Sequence, residues 1–433
     1  MNCFIDAVEF GFSPESNPME NTAALQRAVD HGGTVIVSRP GTYETGGTVY
    51  VGSNTTLQFG NGVFLKKVDV QGPFTHVLLN KGALTKTYDR NIVIEGLHII
   101  VNGIDKPYAE VYGLRGQLAF FYIKDLRIER FRCHDLDKMQ FGIHICTFED
   151  ININDVVIEG DKDGVHLGRG TRFTISNCIF RTYDDAVALN AQDFSTSNPE
   201  LGWIENGVVQ NCYDLPDGKA PIGFFCRILA GGWKDWKPGM EVQQSDTVIS
   251  NGRLYRVQAE PDGTSYKSAT RPTHKTGQKE LDGINWGMVQ EDILYTAGVR
   301  NVVFRDIFQE KPRTSFSVRL VTGRFNRSYY PGAQAPLQRQ LRFDNVRVLH
   351  DSPAPILECS SPVDVLSFTN SSIADNRIIF NRNSELVDYG ETSVNITGCV
   401  FNVLPPEEII DNSIEEKVIH VQKMANSFIK DNA

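Results

Sequence analysis

Two pairs of like residues recur at one interval: His144 and His166, and Asp163 and Asp185, each stand 22 residues apart. That interval is the length of one coil in a parallel β-helix, where each coil stacks on its sequence neighbour and the core grows along one axis. Short alternating runs recur from about residue 48 to about 403, among them NIVIEGLHII, LAFFYIKDLRIERF, FGIHICTFEDININDVVIEG, LRFDNVRVLH and SVNITGCVFN. Few carry a helical period. Each passes a polar corner with Asn, Asp or Gly and continues into a second strand. A sandwich needs hairpin turns of the Asn-Gly type between consecutive strands, and these are scarce. The expected fold class is therefore all-β, a single right-handed parallel β-helix of about ten coils.

Three segments depart from the rhythm. NPMENTAALQRAVDHGG reads as a helix: Asn21 or Thr22 is the expected N-cap, Ala24, Leu25, Ala28 and Val29 share one face, and Gly32-Gly33 ends it. An open solenoid end exposes apolar core and strand edges, so residues 1–47 are expected to form an N-terminal cap. Residues 404–433 place Ile409, Ile410, Ile414, Val418, Val421 and Met424 at helical spacings, which predicts a C-terminal helix. Residues 233–292, rich in Gly, Pro and turn signals and holding three of the four tryptophans, read as a small inserted β-module. It interrupts a β-helix running over 48–232 and 293–403. Coils pack mainly on their neighbours, so excising the module is expected to leave them folded. Trp233 and Trp236 are candidates for stacking on sugar rings, whose C–H faces are apolar; the other reading makes them a mini-core.

Composition narrows the partners. With 43 Lys and Arg against 53 Asp and Glu the formal charge is -10, which argues against a general nucleic-acid binder. No apolar run approaches the roughly 18 residues of a membrane span. The N-terminus lacks the basic stretch and apolar core of a signal peptide. The expected location is secreted or periplasmic if a leader was removed, and otherwise cytoplasmic or virion-associated. Eight cysteines lie far apart, without a CxxC pair, and are expected to be free packing thiols. No metal and no organic cofactor is expected.

Chemistry concentrates on two consecutive coils, Asp161-Lys162-Asp163-Gly164-Val165-His166-Leu167 and Thr182-Tyr183-Asp184-Asp185-Ala186-Val187-Ala188-Leu189-Asn190. The 22-residue offset sets Asp163 beside Asp185, about one strand spacing of 4.8 Å apart, with Asp184 adjoining. If Val165, Leu167, Val187 and Leu189 point inward, His166, Ala188 and Asn190 share the outward face, and His144 joins that column one coil earlier. Crowded carboxylates raise one another's pKa, so one can stay protonated as an acid while another stays ionised as a base. Aspartates at corners also form Asx-turns. Three stacked acids beside a histidine column are poorly explained that way, because like charges without a task cost stability.

These residues resemble the polygalacturonase family, family 28 of the glycoside hydrolases, which are right-handed parallel β-helices with inverting chemistry. Asp161-Lys162-Asp163-Gly164 is similar to that family's Asn-Thr-Asp-Gly motif, and Asp184-Asp185-Ala186-Val187-Ala188-Leu189 to its Asp-Asp pair and following strand, at the family's separation. NTAALQRAVDHGGTVIVSRPGTYETGG looks like the opening of pectate-lyase-like β-helices, including phage tailspikes. The resemblance implies Asp184 as general acid, with Asp163 and Asp185 holding the attacking water. Arg227-Ile228-Leu229 stands nearest to the family's Arg-Ile-Lys and lacks the Lys; no Gly-His-Gly follows the Asp pair. The sugar is therefore not named by the motifs. Candidate substrate-binding residues are His144, His166, Lys162, Asn190, Arg227, Trp233 and Trp236, and the expected partner is a carbohydrate polymer or oligosaccharide. Two alternatives stand: a polysaccharide lyase on the same fold, with Lys162 or Tyr183 as base, and a non-catalytic glycan-binding, tailspike-like β-helix.

Overall fold

Alternation drives the strands. In Thr55–Phe59 and Val63–Lys67 every second side chain is buried, the pattern of a sheet with one face on a core. The computed structural model describes residues 4–106, 110–220, 222–258, 262–323, 326–373, 376–401 and 408–428. The chain divides into two compact units: Met1–Ala188 with Gly207–Gly223 and Arg305–Lys311, and Leu189–Asn206 with Phe224–Phe304 and Pro312–Ala433.

The first unit is a stack of parallel coils with three ladders. One runs through Gly33–Val37, Thr55–Phe59, Asp89–Glu95, Gly116–Glu129, Phe141–Asn154 and Gly170–Ser176. A second runs through Gly41–Thr45, Val63–Lys67, His98–Ile100, Arg132–Leu136, Val157–Gly160 and Ile179–Thr182. The third joins Val49–Val51 and Leu78–Asn80 to Leu118 and Ala119, and then Ile143, His144 and Ile145 to Val165, His166 and Leu167. The register pairs His144 with His166, at the 22-residue interval. Corners hold asparagines in the left-handed region: Asn177 and Asn211 have φ of 58° and 50°. Their amides bond from coil to coil, Asn211 to Asn177 and Asn177 to Asn154, each at 2.7 Å.

The helix α1 spans Pro18–His31 and buries Ala24, Leu25, Ala28 and Val29 against the strands Gly41–Thr45 and Val49–Val51. Its N-cap is Asn17, closing a capping box with Glu20 ahead of Pro18; the expected caps Asn21 and Thr22 lie inside the helix. Asn21 is buried and its Oδ1 accepts from the Ser13 N–H instead.

Lys67 occupies an inward strand position and is fully buried. Its ammonium donates to the carbonyls of Phe74 and Thr75 at 2.9 and 3.0 Å, and to the side-chain oxygens of Gln117 and Gln140 at 3.1 and 3.2 Å. Burial lowers its pKa from 10.5 to about 7, against the pull of Asp105 and Glu110. The unfolded chain therefore binds more protons than the folded one between about pH 7 and 10.5, so this group's contribution makes stability rise with pH there. Denaturant midpoints across that window are expected to climb more steeply for the native chain than for Lys67→Met; equal slopes would show that Lys67 keeps its proton.

The second unit stacks Cys226–Leu229, Phe316–Arg319, Leu357–Cys359, Ile378–Phe380 and Ile410–Asn412 in one parallel ladder. Arg339–Val348, Val365–Thr369, Glu391–Thr397 and Val418–Met424 form another. Phenylalanines fill its interior in register, with the rings of Phe343 and Phe368 stacked at 4.6 Å and Phe316 tilted against Phe343 at 4.5 Å. Between Lys234 and Gln290 the chain leaves these ladders for a separate five-stranded sheet, mostly antiparallel.

The expected C-terminal helix is corrected. Residues 408–428 contain the strands Ile410–Asn412, Val418–Met424 and Ser427–Phe428, which add coils in parallel to the ladders before them. Ile409 and Ile414 are buried, whereas Val418, Val421 and Met424 are exposed. Hydrogen bonding to a ready strand edge outweighs local helical periodicity. Residues 404–407 and 429–433 of that expectation lie outside the described residues.

Candidate active site

The acidic cluster is assembled by backbone register in the first unit. The Asp163 carbonyl accepts from the Gly142 N–H and the Asp185 carbonyl from the Gly164 N–H, each at 2.9 Å, which stacks Asp163 and Asp185 on consecutive coils. Gly164 makes this approach possible: a Cβ there would stand 2.6 Å from the Ala186 carbonyl oxygen and 2.7 Å from the Phe180 ring. Asp163, Asp184 and Asp185 each bring a carboxylate oxygen within 4.8 Å of the others. Asp163 and Asp185 are buried, at 1% and 0% exposure, and the Asp184 side chain is 18% exposed.

Each acid has its own neighbour. The His166 ring presents Nδ1 2.8 Å from Asp163 Oδ2. His166 lies flat on Phe141, with centroids 4.2 Å apart and planes 5° from parallel, which fixes the imidazole. His144 stands edge-on to His166 at 4.6 Å, and its Nδ1 accepts from the Arg115 backbone N–H at 3.0 Å. Both histidines are fully buried, so the column is a packed part of the site. Lys162 donates its ammonium to Asp184 Oδ2. Burial alone pulls the Lys162 pKa down, but the charges of Asp163 and Asp184 and the bond to Asp184 outweigh it, and the net shift is upward. Lys162 is therefore a fixed cation. It already supplies at Asp184 the positive charge that three clustered carboxylates otherwise invite from a hard metal ion.

Residues the sequence reading passed over support the cluster. Lys311, at 1% exposure, donates to the Thr182 carbonyl at 2.6 Å and to Asp217 Oδ2 at 3.0 Å, and the Thr182 hydroxyl donates to the Asp184 carbonyl at 3.1 Å. The corner that carries Asp184 and Asp185 is thus pinned from beneath. Arg115 places its guanidinium over Phe141 at 4.9 Å and donates Nε to the Met139 carbonyl at 2.7 Å. Phe141 had a signal, since it stands 22 residues before Asp163. Lys311 had none, because its partner lies 129 residues away.

No family model and no curated relative matches the sequence. Among solved structures the chain is similar to the N-terminal fragment of gene product 12 of bacteriophage phi29, at 12% identity and TM-score 0.54, covering 98% of this chain and 66% of that one. It is also similar to the A-module of mannuronan C-5 epimerase AlgE4 of Azotobacter vinelandii, at 11% identity and TM-score 0.50, covering 99% and 98%. The tailspike of E. coli bacteriophage HK620, in complex with a pentasaccharide, gives 9% identity, TM-score 0.50 and coverage of 98% and 78%. The chain is a parallel β-helix.

The remaining candidates belong to the second unit of this β-helix. Asn190 is buried and donates to Asp193 Oδ2 at 2.6 Å, and Arg227 Nη2 donates to the same oxygen at 3.3 Å. Arg227 thus has a carboxylate of its own. Trp233 and Trp236 are 1% and 6% exposed, with indole N–H groups donating to the Leu294 carbonyl at 2.5 Å and to Ser268 Oγ at 2.8 Å. Trp236 packs with Val242, Val248, Tyr255 and Trp286. Neither tryptophan leaves an open face for a sugar ring to stack on, which corrects the expectation that they bind glycan; Trp236 serves instead as a large apolar ring inside the small sheet. None of the seven described cysteines forms a disulfide, and all seven are buried.

Proposed function

We propose that this β-helix is a carbohydrate-active enzyme, a glycoside hydrolase in which Asp184 protonates the leaving oxygen and Asp163 and Asp185 hold the attacking water. The reading is carried by the three carboxylate oxygens within 4.8 Å of one another, two of them on buried residues. Burying like charges is costly, and acid/base chemistry is the use that repays it, since one carboxyl must stay protonated while its neighbour is ionised. His166 is a positioning residue: stacked on Phe141, it orients Asp163. The likeness of the Asp163 and Asp184-Asp185 motifs to those of polygalacturonases supports these roles. So does the company of the fold, which includes an epimerase of mannuronan and a tailspike holding a pentasaccharide.

A single displacement needs roughly 6.5–9.5 Å between acid and base, to admit a water. The nearest oxygens here are closer than that. Asp184, the least buried of the three, must leave the Lys162 ammonium to take up the proton it delivers, and the same turn carries it to the far side of the bond while the two buried acids stay in place. Inversion of the anomeric centre is the expected outcome. A lyase working through Lys162 is disfavoured, because a base for proton abstraction must be neutral and Lys162 is held charged.

The test is a panel of oligosaccharides incubated with the full chain, scored for new reducing ends, with the first-released anomer followed by NMR and ultraviolet absorbance recorded for unsaturated product. New reducing ends with inversion are expected. Retention would make one of the aspartates a nucleophile, and an absorbing product from a uronate polymer would establish elimination.

A further inference from the structure

The second unit carries a polar cleft that the proposed hydrolysis does not use. It has a volume of about 340 Å³, at the lower end of ligand pockets, and three successive coils build it. Ser317 and Arg319 come from the strand Phe316–Arg319, Glu358 from Leu357–Cys359 with Ser360 just beyond, and Asn381 and Asn383 from the segment after Ile378–Phe380. Parallel register sets Glu358 directly beside Ser317, and Ser317 beside Arg227. The cleft floor is therefore sheet, whose hydrogen bonds hold the side chains at fixed spacing, and Leu320 is its one hydrophobic residue.

The chemistry of the walls selects the ligand. They offer a carboxylate, guanidinium groups, primary amides and hydroxyls, so donors and acceptors both line the cleft. Charge is balanced. Arg319 and Glu358 both line the cleft, and the third charged group, Arg382, is neutralised by Glu416 through two bonds at 2.9 and 3.0 Å. A phosphate or uronate site needs surplus positive charge, which this cleft lacks. Vicinal hydroxyls, each both donor and acceptor, match planar carboxylate, amide and guanidinium groups. The Arg319 guanidinium also lies over the half-buried Phe224 ring at 5.5 Å, which stiffens it. Asn383 is held by its backbone, whose N–H donates to the Tyr389 hydroxyl at 2.5 Å and whose carbonyl accepts from that hydroxyl at 2.8 Å.

We infer that this cleft binds a short stretch of neutral glycan, as a non-catalytic site whose existence does not depend on the aspartates being catalytic. The experiment uses the full chain carrying Asp185→Asn, so that cleavage is slow on the time of the titration, with neutral hexasaccharides of glucose, mannose and galactose and a galacturonate hexamer as probes in calorimetric titration. At least one neutral hexamer is expected to bind, with affinity falling at least tenfold in Asn381→Ala and in Glu358→Gln. Asn381 is exposed, so its variant is expected to keep the native melting temperature. Glu358→Gln keeps shape while removing the carboxylate. Absence of binding by every neutral hexamer, binding unchanged in both variants, or preference for the galacturonate would each overturn the inference. Failure of the hydrolysis assay leaves this binding result readable, and loss of binding leaves the reducing-end assay readable, so the two readings fail separately.

Discussion

Asp185→Asn is expected to lower hydrolysis by about 10²- to 10⁴-fold, the contribution typical of a positioned acid or base, while leaving the fold in place. The substitution is isosteric, and the Asp185 contact that builds the coil, from the Gly164 N–H to the Asp185 carbonyl, belongs to the backbone and survives. What disappears is one negative charge from a group whose oxygens lie within 4.8 Å of two others. Relief of that repulsion is expected to leave the melting temperature level or raise it, the usual sign of a residue kept for chemistry at a cost in stability. Asp184→Asn is expected to lose activity as severely for a different reason, because it removes the proton donor and leaves Lys162 without the carboxylate it bonds. Initial rates on the best substrate of the panel, with thermal melts of the same preparations, check both. Full activity in both variants would overturn the roles given to these aspartates and place the hydrolysis elsewhere on the chain.

The sequence interval carried far because a parallel coil converts spacing into contact. Once His144 and His166 stand one coil apart, Ile143 meets Val165, and Asp163 must meet Asp185. Asparagine corners were readable for the same reason, since left-handed φ without glycine favours Asn. Coils of other lengths hid their partners. Leu118 pairs with Ile143 after 25 residues, so Arg115, just before that strand, gave no sign of meeting His144 and Phe141. Burial was equally hidden. Trp236 and an exposed sugar-binding tryptophan look alike in a Gly-rich segment, and only the packing of Val248, Tyr255 and Trp286 around it decides. At the C-terminus, Val418 and Val421 suit a helix face and a strand equally, and the edge of Glu391–Thr397 settled which formed.

Asp246→Ala is expected to destabilise the protein by about 3 kcal/mol, the lower end of the cost of breaking a buried ion pair. Asp246 is 1% exposed and the Arg327 side chain 12%. Arg327 Nε donates to Asp246 Oδ1 at 2.9 Å and Nη2 donates to Oδ2, a two-pronged bond. Burial pushes the Asp246 pKa up and Arg327 draws it back, leaving a net rise: the charged pair exists because the guanidinium is there. Removing the carboxylate strands that guanidinium in a poorly hydrated place, where Glu385, 3.8 Å from Nη1, compensates in part. Arg327→Met with Asp246→Ala is expected to lie closer to the native chain than Asp246→Ala does, since no guanidinium is left buried without its carboxylate. The same bond revises what excision of residues 233–292 should do. That segment gives Asp246 to Arg327, and Arg256 to the carbonyls of Ser195 and Asn198 at 3.2 and 2.5 Å, so cutting it out orphans buried groups in the coils it leaves. Excision is expected to destabilise the remainder, and Arg327→Met is expected to recover the part of that loss due to the stranded guanidinium. Denaturant midpoints of the point variants and of both excised chains read this out, and an excised chain with Arg327 intact that is as stable as the native protein would show that the segment is attached without being part of the core.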